Sequence, residues 1–113
     1  LEDPRTHIMQ GDLYNIISDT NPASYDSLLL DIDNTPDYLI TSGNSRLYSS
    51  GFLDKLRNVL TEKGCLSYWL SEPAPRFKKL LIKAGFQVEE FASKPHENSK
   101  RSRHCILLAR KRR

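Results

Sequence analysis

Short continuous apolar runs alternate along this chain with segments in which apolar residues recur every three or four positions. The continuous runs are SLLLDI (27–32), CLSYWL (65–70) and HCILLA (104–109). Such runs are typical of strands buried on both faces of a sheet. Weaker strands are predicted at residues 6–10 and 86–92. Helical spacing appears after Gly11-Asp12 as one or two turns and then twice more, in Phe52, Leu53, Leu56, Val59 and Leu60 and in Phe77, Leu80, Leu81 and Ala84.

The predicted helices have recognisable beginnings and ends. A serine at 49 or 50 can cap the first long helix, and Lys63-Gly64 is expected to end it. Pro75 lies where a first helical turn tolerates proline, and Gly85 is expected to end that helix. Residues 33–44 and 95–103 are rich in polar, proline and small residues and are predicted to be loops.

This alternation of strands and helices predicts an α/β domain with a largely parallel sheet. The last two strands differ, because the loop between them is too short for a helical crossover. They should therefore pair antiparallel and finish the sheet as a hairpin. With 113 residues, the chain is expected to form one domain, residues 1–113.

Charge is distributed unevenly. Residues 94–113, the basic C-terminal hairpin and tail, carry eight Lys or Arg and one acidic residue. Residues 1–93 carry nine Lys or Arg and thirteen acidic residues. A basic end can bind nucleic acid or an acidic partner, but a solvated terminus is the favoured interpretation. Cys65 and Cys105 lie in apolar runs, which favours reduced thiols and a cytoplasmic location. No apolar run is long enough to cross a membrane.

Acidic residues follow the predicted strands, where ligands bind in open α/β sheets. Asp31 and Asp33 could act as a general base or hold an amine, but they could equally form backbone turns. Asp12 could cap a helix or accept a hydrogen bond from a nucleobase amino group. Glu72 follows residues 65–70. Metal-ligand spacing is absent, and the five glycines are too dispersed to form a phosphate-binding loop.

Five stretches in this order resemble the spermidine synthase-like branch of the class I S-adenosylmethionine-dependent methyltransferase superfamily: DPRTHIMQGD, YDSLLLDIDNTPD, SRLYSSGFLDKLRNVLTEKGCLSYWL, FKKLLIKAGFQVEEF and HCILLARK. The resemblance implies a partial Rossmann-like fold that lacks the first two strands and the glycine-rich loop. It implies cofactor-binding roles for Gly11 and Asp12 and a catalytic role for Asp31, supported by Asp33. Asn34 stands near the place of a second, amine-anchoring acid, which departs from the aminopropyltransferase pattern.

The resemblance implies that the parent protein is a transferase that moves an aminopropyl or methyl group to a small-molecule amine. Its cofactor would be S-adenosylmethionine or the decarboxylated form. Small-molecule or RNA methyl transfer is the next alternative, and a non-catalytic module that binds nucleic acid or protein through the basic C-terminus is the last. Since the glycine-rich loop is missing and residue 1 is Leu, we expect an excised piece that binds the cofactor weakly and is inactive alone. We also expect self-association through an exposed sheet edge.

Overall fold

A computed structural model describes residues 3–31, 36, 46–93 and 104–112. In chain order, the described elements are α1 (Leu13–Ser18), β1 (Tyr25–Leu30), a 3-10 turn (Arg46–Tyr48), α2 (Ser50–Val59), β2 (Leu60–Leu70), α3 (Pro75–Lys83), β3 (Phe86–Ser93) and β4 (His104–Lys111). The predicted order of these elements is confirmed. Asp33, Asn34, the loop predicted at 33–44 (apart from residue 36) and the loop predicted at 95–103 lie outside the described residues.

The four described strands form one sheet in the order β1-β2-β4-β3. β1 runs parallel to β2, whereas β4 runs antiparallel to both β2 and β3. The mixed α/β fold and the closing antiparallel hairpin are therefore confirmed. Within the described ranges β1 pairs on one side only, so it forms one edge of the sheet.

The helices pack on one face of this sheet. Leu66, Tyr68 and Leu70 of β2 point into that core together with Leu107 and Ala109 of β4. Alternate residues on a strand point to opposite sides, and the described residues leave the other face less covered. That face carries exposed apolar side chains at Leu29 (71% exposed), Trp69 (42%) and Phe91 (50%). The prediction that the runs at 27–32 and 65–70 are buried on both faces is therefore wrong for the described strands. No helix among the described residues is both long and apolar enough to cross a bilayer.

Predicted capping residues act at three helix ends. The Ser49 hydroxyl oxygen accepts a hydrogen bond from the Phe52 N–H at 3.2 Å, which caps α2. Pro75 is the first residue of α3, where its missing N–H costs no helical hydrogen bond. Gly85 follows α3 with φ +100°, the left-handed conformation that glycine adopts most readily. These local signals therefore fix where α3 begins and ends.

The strand predicted at residues 6–10 does not form, because these residues have no pairing strand in the described structure. Ile8 and Met9 are 71% and 63% exposed. A short segment gains little from an extended conformation unless a neighbour satisfies its backbone groups and covers its apolar side chains. The apolar pattern was therefore present, but the partner that would make it a strand was not.

The end of α2 also differs from the prediction. The helix ends at Val59, and Lys63-Gly64 belongs to β2. Pairing with β1 passes from Tyr25 opposite Leu60 to Ser27 opposite Cys65, so extra residues are accommodated on β2. A Cβ at Gly64 would lie 3.0 Å from the Leu60 Cβ and from the Thr61 carbonyl oxygen. Gly64 thus permits a close backbone approach within a strand and does not terminate a helix.

Candidate functional site

Asp12 precedes α1 and uses both carboxylate oxygens. One oxygen accepts a hydrogen bond from the Asn15 N–H at 3.3 Å, which makes Asp12 the N-cap of α1. The other lies 3.5 Å from an Arg46 guanidinium nitrogen. The Asp12 side chain nevertheless remains 52% exposed. The helix-cap interpretation is confirmed, and the carboxylate is still accessible at the surface.

Arg46 and Tyr14 form a small cationic and aromatic surface beside Asp12. The Arg46 guanidinium carbon lies 4.1 Å from the centroid of the Tyr14 ring. The Lys55 ammonium lies 5.7 Å from the same centroid, and the Tyr14 ring stacks on Phe52 with the centroids 5.4 Å apart. Cation–π contacts of this kind hold a guanidinium over an aromatic face. Asp12 is therefore part of a charged cluster with a defined geometry.

The turn at 46–48 anchors this cluster to the sheet. Tyr48 is 1% exposed, and its ring meets Phe77 edge-on at 5.0 Å. Phe77 in turn meets Tyr68 at 4.8 Å, near the end of β2. Tyr68 pairs with Leu30, the last residue of β1. Two aromatic contacts and the pairing of β2 with β1 thus connect the turn that carries Arg46 to the end of β1.

Asp31 comes directly after that end of β1 and is exposed. Because β1 and β2 are parallel, their carboxyl ends lie at the same edge of the sheet. Glu72, two residues beyond β2, is exposed at this edge as well. This is the position at which open α/β sheets hold their ligands. Asp33, the predicted supporting acid, lies outside the described residues.

The backbone conformation at Gly11 does not require a glycine. Its φ is not in the left-handed region, since Gly85 alone among the described glycines has a positive φ. A Cβ at Gly11 would meet the Ile16 Cδ1 at 3.4 Å, an ordinary van der Waals contact. Its predicted part in cofactor binding is therefore limited to close approach of a ligand to the backbone.

Two tyrosine hydroxyls are buried near the carboxyl ends of β1 and β2. Within the described part of the chain, neither Tyr48 nor Tyr68 has a hydrogen-bond partner for its hydroxyl. Burial raises the pKa of Tyr48 to about 12, and it also raises the pKa of Tyr68, to which the nearby Tyr48 contributes. Both phenols are therefore neutral at physiological pH and belong to the core.

The described residues hold no group of three or more His, Cys, Asp or Glu side chains suited to a metal ion. Cys65 and Cys105 are both free thiols. Cys105 is buried, and burial raises the pKa of its thiol above the usual value. Thiol chemistry therefore has no support at this position, since a nucleophilic cysteine requires a thiolate.

The sequence did not identify Arg46, Tyr14 or Lys55 as members of the cluster. Arg46 lies in a loop-like stretch without periodicity, and Tyr14 falls within the one or two helical turns predicted after Gly11-Asp12. Their contact depends on how α1 packs beside α2, which is a tertiary feature. Local patterns could not reveal it.

No protein-family profile matches the chain, and no curated protein matches it significantly. Solved structures do match. A candidate DNA modification methylase of Thermus thermophilus superposes with a TM-score of 0.66 and 17% identity, over 91% of this chain and 52% of that one. A 1,6-didemethyltoxoflavin-N1-methyltransferase of Burkholderia thailandensis superposes with a TM-score of 0.60 and 14% identity, over 86% of this chain and 48% of that one. A SAM-dependent methyltransferase of Leishmania major superposes with a TM-score of 0.54 and 16% identity, over 80% of this chain and 39% of that one.

The chain has part of the methyltransferase fold. It spans about half the length of the Thermus and Burkholderia proteins. The Thermus protein has also been solved with S-adenosyl-L-methionine, and the Burkholderia enzyme was solved with S-adenosylhomocysteine and 1,6-didemethyltoxoflavin. At identities of 14–17%, these likenesses concern the fold.

The residues around Asp12 are chemically compatible with a nucleoside group. A carboxylate offers about four lone-pair sites, and Asp12 uses one for the Asn15 N–H and one toward Arg46. The remaining sites can accept a hydrogen bond from an exocyclic amino group. The half-exposed carboxylate leaves room for such a donor to approach from solvent.

Proposed function

We propose that this chain is part of an S-adenosyl-dependent transferase that alkylates a small-molecule amine. The observation that carries the proposal is the partial methyltransferase fold with Asp31 at the carboxyl end of β1. Methyl transfer is the favoured reaction, because the superposed proteins are described as methyltransferases or as a methylase. Aminopropyl transfer, to which the spermidine synthase-like resemblance points, is the second candidate.

In this proposal, Asp12 accepts a hydrogen bond from the adenine amino group of the cofactor. Arg46 orients that carboxylate from 3.5 Å away, and Gly11 allows the ligand close to the backbone. The cofactor supplies an alkyl carbon attached to a positively charged sulfur. Supporting evidence for Asp12 is its accessible carboxylate beside α1, at the start of a helix whose dipole stabilises a negative charge.

Asp31 has the role of proton acceptor, with Asp33 in support. The amine nitrogen forms a bond to the alkyl carbon while the carbon–sulfur bond breaks, and the sulfur leaves as a neutral thioether. The proton that the amine loses passes to the Asp31 carboxylate. An exposed carboxylate at the end of a parallel strand suits this task, because a small acceptor can reach it without opening the core.

A small-molecule acceptor is favoured because the Burkholderia enzyme was solved with the small heterocycle 1,6-didemethyltoxoflavin. The test uses the longest natural form of the protein that includes this chain. Product formation is followed with methyl-labelled S-adenosylmethionine and, separately, with its decarboxylated form, each with a panel of amines. Transfer from neither donor to any amine would refute the proposal.

Two substitutions separate binding from chemistry. Asp31→Asn should lower kcat by about 100-fold or more, the usual contribution of a general base, while cofactor affinity changes less than about twofold. Asp12→Asn should weaken cofactor binding instead. Asp54→Asn, which changes an exposed aspartate of α2, is the matched control and should leave both unchanged. Unchanged turnover in Asp31→Asn would assign this residue to backbone turn formation.

The 113-residue chain itself provides a further measurement. Without a glycine-rich loop it lacks the backbone N–H groups that usually hold such a cofactor. Calorimetric titration of the chain with S-adenosylmethionine, with its decarboxylated form and with methylthioadenosine should give weak binding or none. Micromolar affinity would show that Asp12 and its neighbours suffice for binding.

A further inference from the structure

A second charged site lies at the opposite end of the sheet from Asp31. A surface cleft of about 440 Å³ is lined by Glu62, Lys63, Gln87, Arg110, Lys111 and Arg112. Because β4 runs antiparallel to β2 and β3, the first residues of β2 and β3 meet the last residues of β4. Three segments distant in sequence therefore build this basic cleft.

The basic cleft has a strong excess of positive charge. Four of its six lining residues are cationic and one is acidic. Arg110 forms an ion pair with Glu89 on the neighbouring strand, with 3.4 Å between a guanidinium nitrogen and a carboxylate oxygen. Lys63 and Arg112 are exposed, and neither forms an ion pair with any residue that the structure describes. At least two cations are thus available to an external anion.

The backbone that carries these cations is fixed. The Arg112 N–H donates to the Gly85 carbonyl oxygen at 2.9 Å, which extends the ordered chain past β4. The Lys111 ammonium donates to the Leu60 carbonyl oxygen, at the start of β2. Pre-positioned cations lose less conformational freedom on binding than the same residues would on a free tail. The cleft therefore differs from a solvated basic terminus.

We propose that the basic cleft binds the phosphate backbone of nucleic acid without regard to base sequence. Guanidinium groups match phosphate oxygens in geometry and charge, and Arg110 and Arg112 supply two of them. None of the described residues that line the cleft is aromatic, so none of them offers a ring on which bases could stack. Contacts to phosphate position a nucleic acid but carry no sequence information directly. The proposal does not depend on the transferase function.

Fluorescence anisotropy with labelled DNA duplexes of two unrelated sequences, each of about 20 base pairs, tests this directly. The logarithm of the association constant should fall linearly with the logarithm of the salt concentration. The expected slope is about −0.9 for each phosphate that the protein neutralises. Three contacts would then lower the affinity about 40-fold between about 50 and 200 mM salt. The two sequences should bind equally, and a strong preference for one would overturn the proposal.

The double variant Lys63→Gln/Arg112→Gln removes the two unpaired cations and should reduce the slope to about −1, with at least about a tenfold loss of affinity at low salt. Lys79→Gln/Lys83→Gln changes two exposed cations of α3, alters net charge equally and should bind within about twofold of the unmodified chain. Circular dichroism checks that both variants fold.

Equal losses in the two double variants would overturn the proposal, because attraction would then reflect net charge rather than the cleft. Inorganic pyrophosphate is the competing probe. It should displace the duplex only at millimolar concentration, since it reaches fewer cations at once. Displacement at micromolar concentration would instead identify a small-anion pocket and refute the nucleic-acid assignment.

Discussion

Tyr48→Phe is expected to stabilise the chain slightly at neutral pH and to remove part of its sensitivity to alkali. The Tyr48 side chain is 1% exposed, and its hydroxyl has no hydrogen-bond partner in the described structure. A buried polar group without a partner costs about 1–3 kcal/mol. Removing only the oxygen keeps the edge-on ring contact with Phe77. We therefore expect the free energy of unfolding to rise by about 1 kcal/mol.

The alkaline effect follows from the raised pKa of Tyr48, which lies near 12 in the folded chain against 10 for an exposed tyrosine. Between these values the unfolded chain loses the proton and the folded chain keeps it. The stabilising contribution is therefore complete below about pH 10 and is lost as pH rises toward 12. By pH 11 the loss is about 1 kcal/mol, since one pKa unit corresponds to about 1.4 kcal/mol.

Urea unfolding between about pH 7.5 and 11, followed by Trp69 fluorescence, measures both effects. The alkaline decline should be shallower in Tyr48→Phe than in the unmodified chain. Tyr25→Phe, on the exposed edge strand, is the matched control. A loss of more than about 1 kcal/mol at neutral pH would refute the reasoning, because it would show that the hydroxyl makes a stabilising hydrogen bond.

Two further predictions concern glycine and the sheet edge. Gly85→Ala should destabilise the chain by about 1–2 kcal/mol, because φ is +100° and a Cβ would lie 3.0 Å from the Arg57 Nε. In the control Gly51→Ala in α2, the added Cβ meets no atom within 4 Å, so this change should be neutral or stabilising. Equal urea midpoints for the two variants would contradict the prediction. Light scattering across a concentration series should show self-association that Leu29→Glu on edge strand β1 weakens and Ile82→Glu on α3 does not, and a monomer at every concentration would contradict it.

Much of the fold could be predicted because its signals are local. The Ser49 cap, Pro75 at the first turn and Gly85 after the last turn each act through their own backbone. The alternation of apolar runs and helical periodicity indicated the order of elements for the same reason. The antiparallel hairpin followed from the shortness of one connection, which is also a local property.

The errors came where a residue's role depends on distant partners. Residues 6–10 have a strand-like pattern but no neighbouring strand, so the pattern alone was insufficient. Gly64 could end a helix or permit a bulge, and pairing with β1 decided for the bulge. Asp12 and Asp31 could be placed at strand or helix ends from sequence. The contact between Asp12 and Arg46 could not, because it requires the packing of the turn at 46–48.

The position of β4 has a consequence for how the chain acquires its structure during synthesis. Of the described strands, β4 is the last to leave the ribosome, yet it lies between β2 and β3 in the sheet. Until it emerges, β3 has no described strand to pair with, and β2 has only β1. Before that point, among the described strands, β3 is unpaired and β2 is paired on one side only, a state in which chaperones can engage the nascent chain. Translation that stops before residue 104 would leave a product unable to complete its sheet.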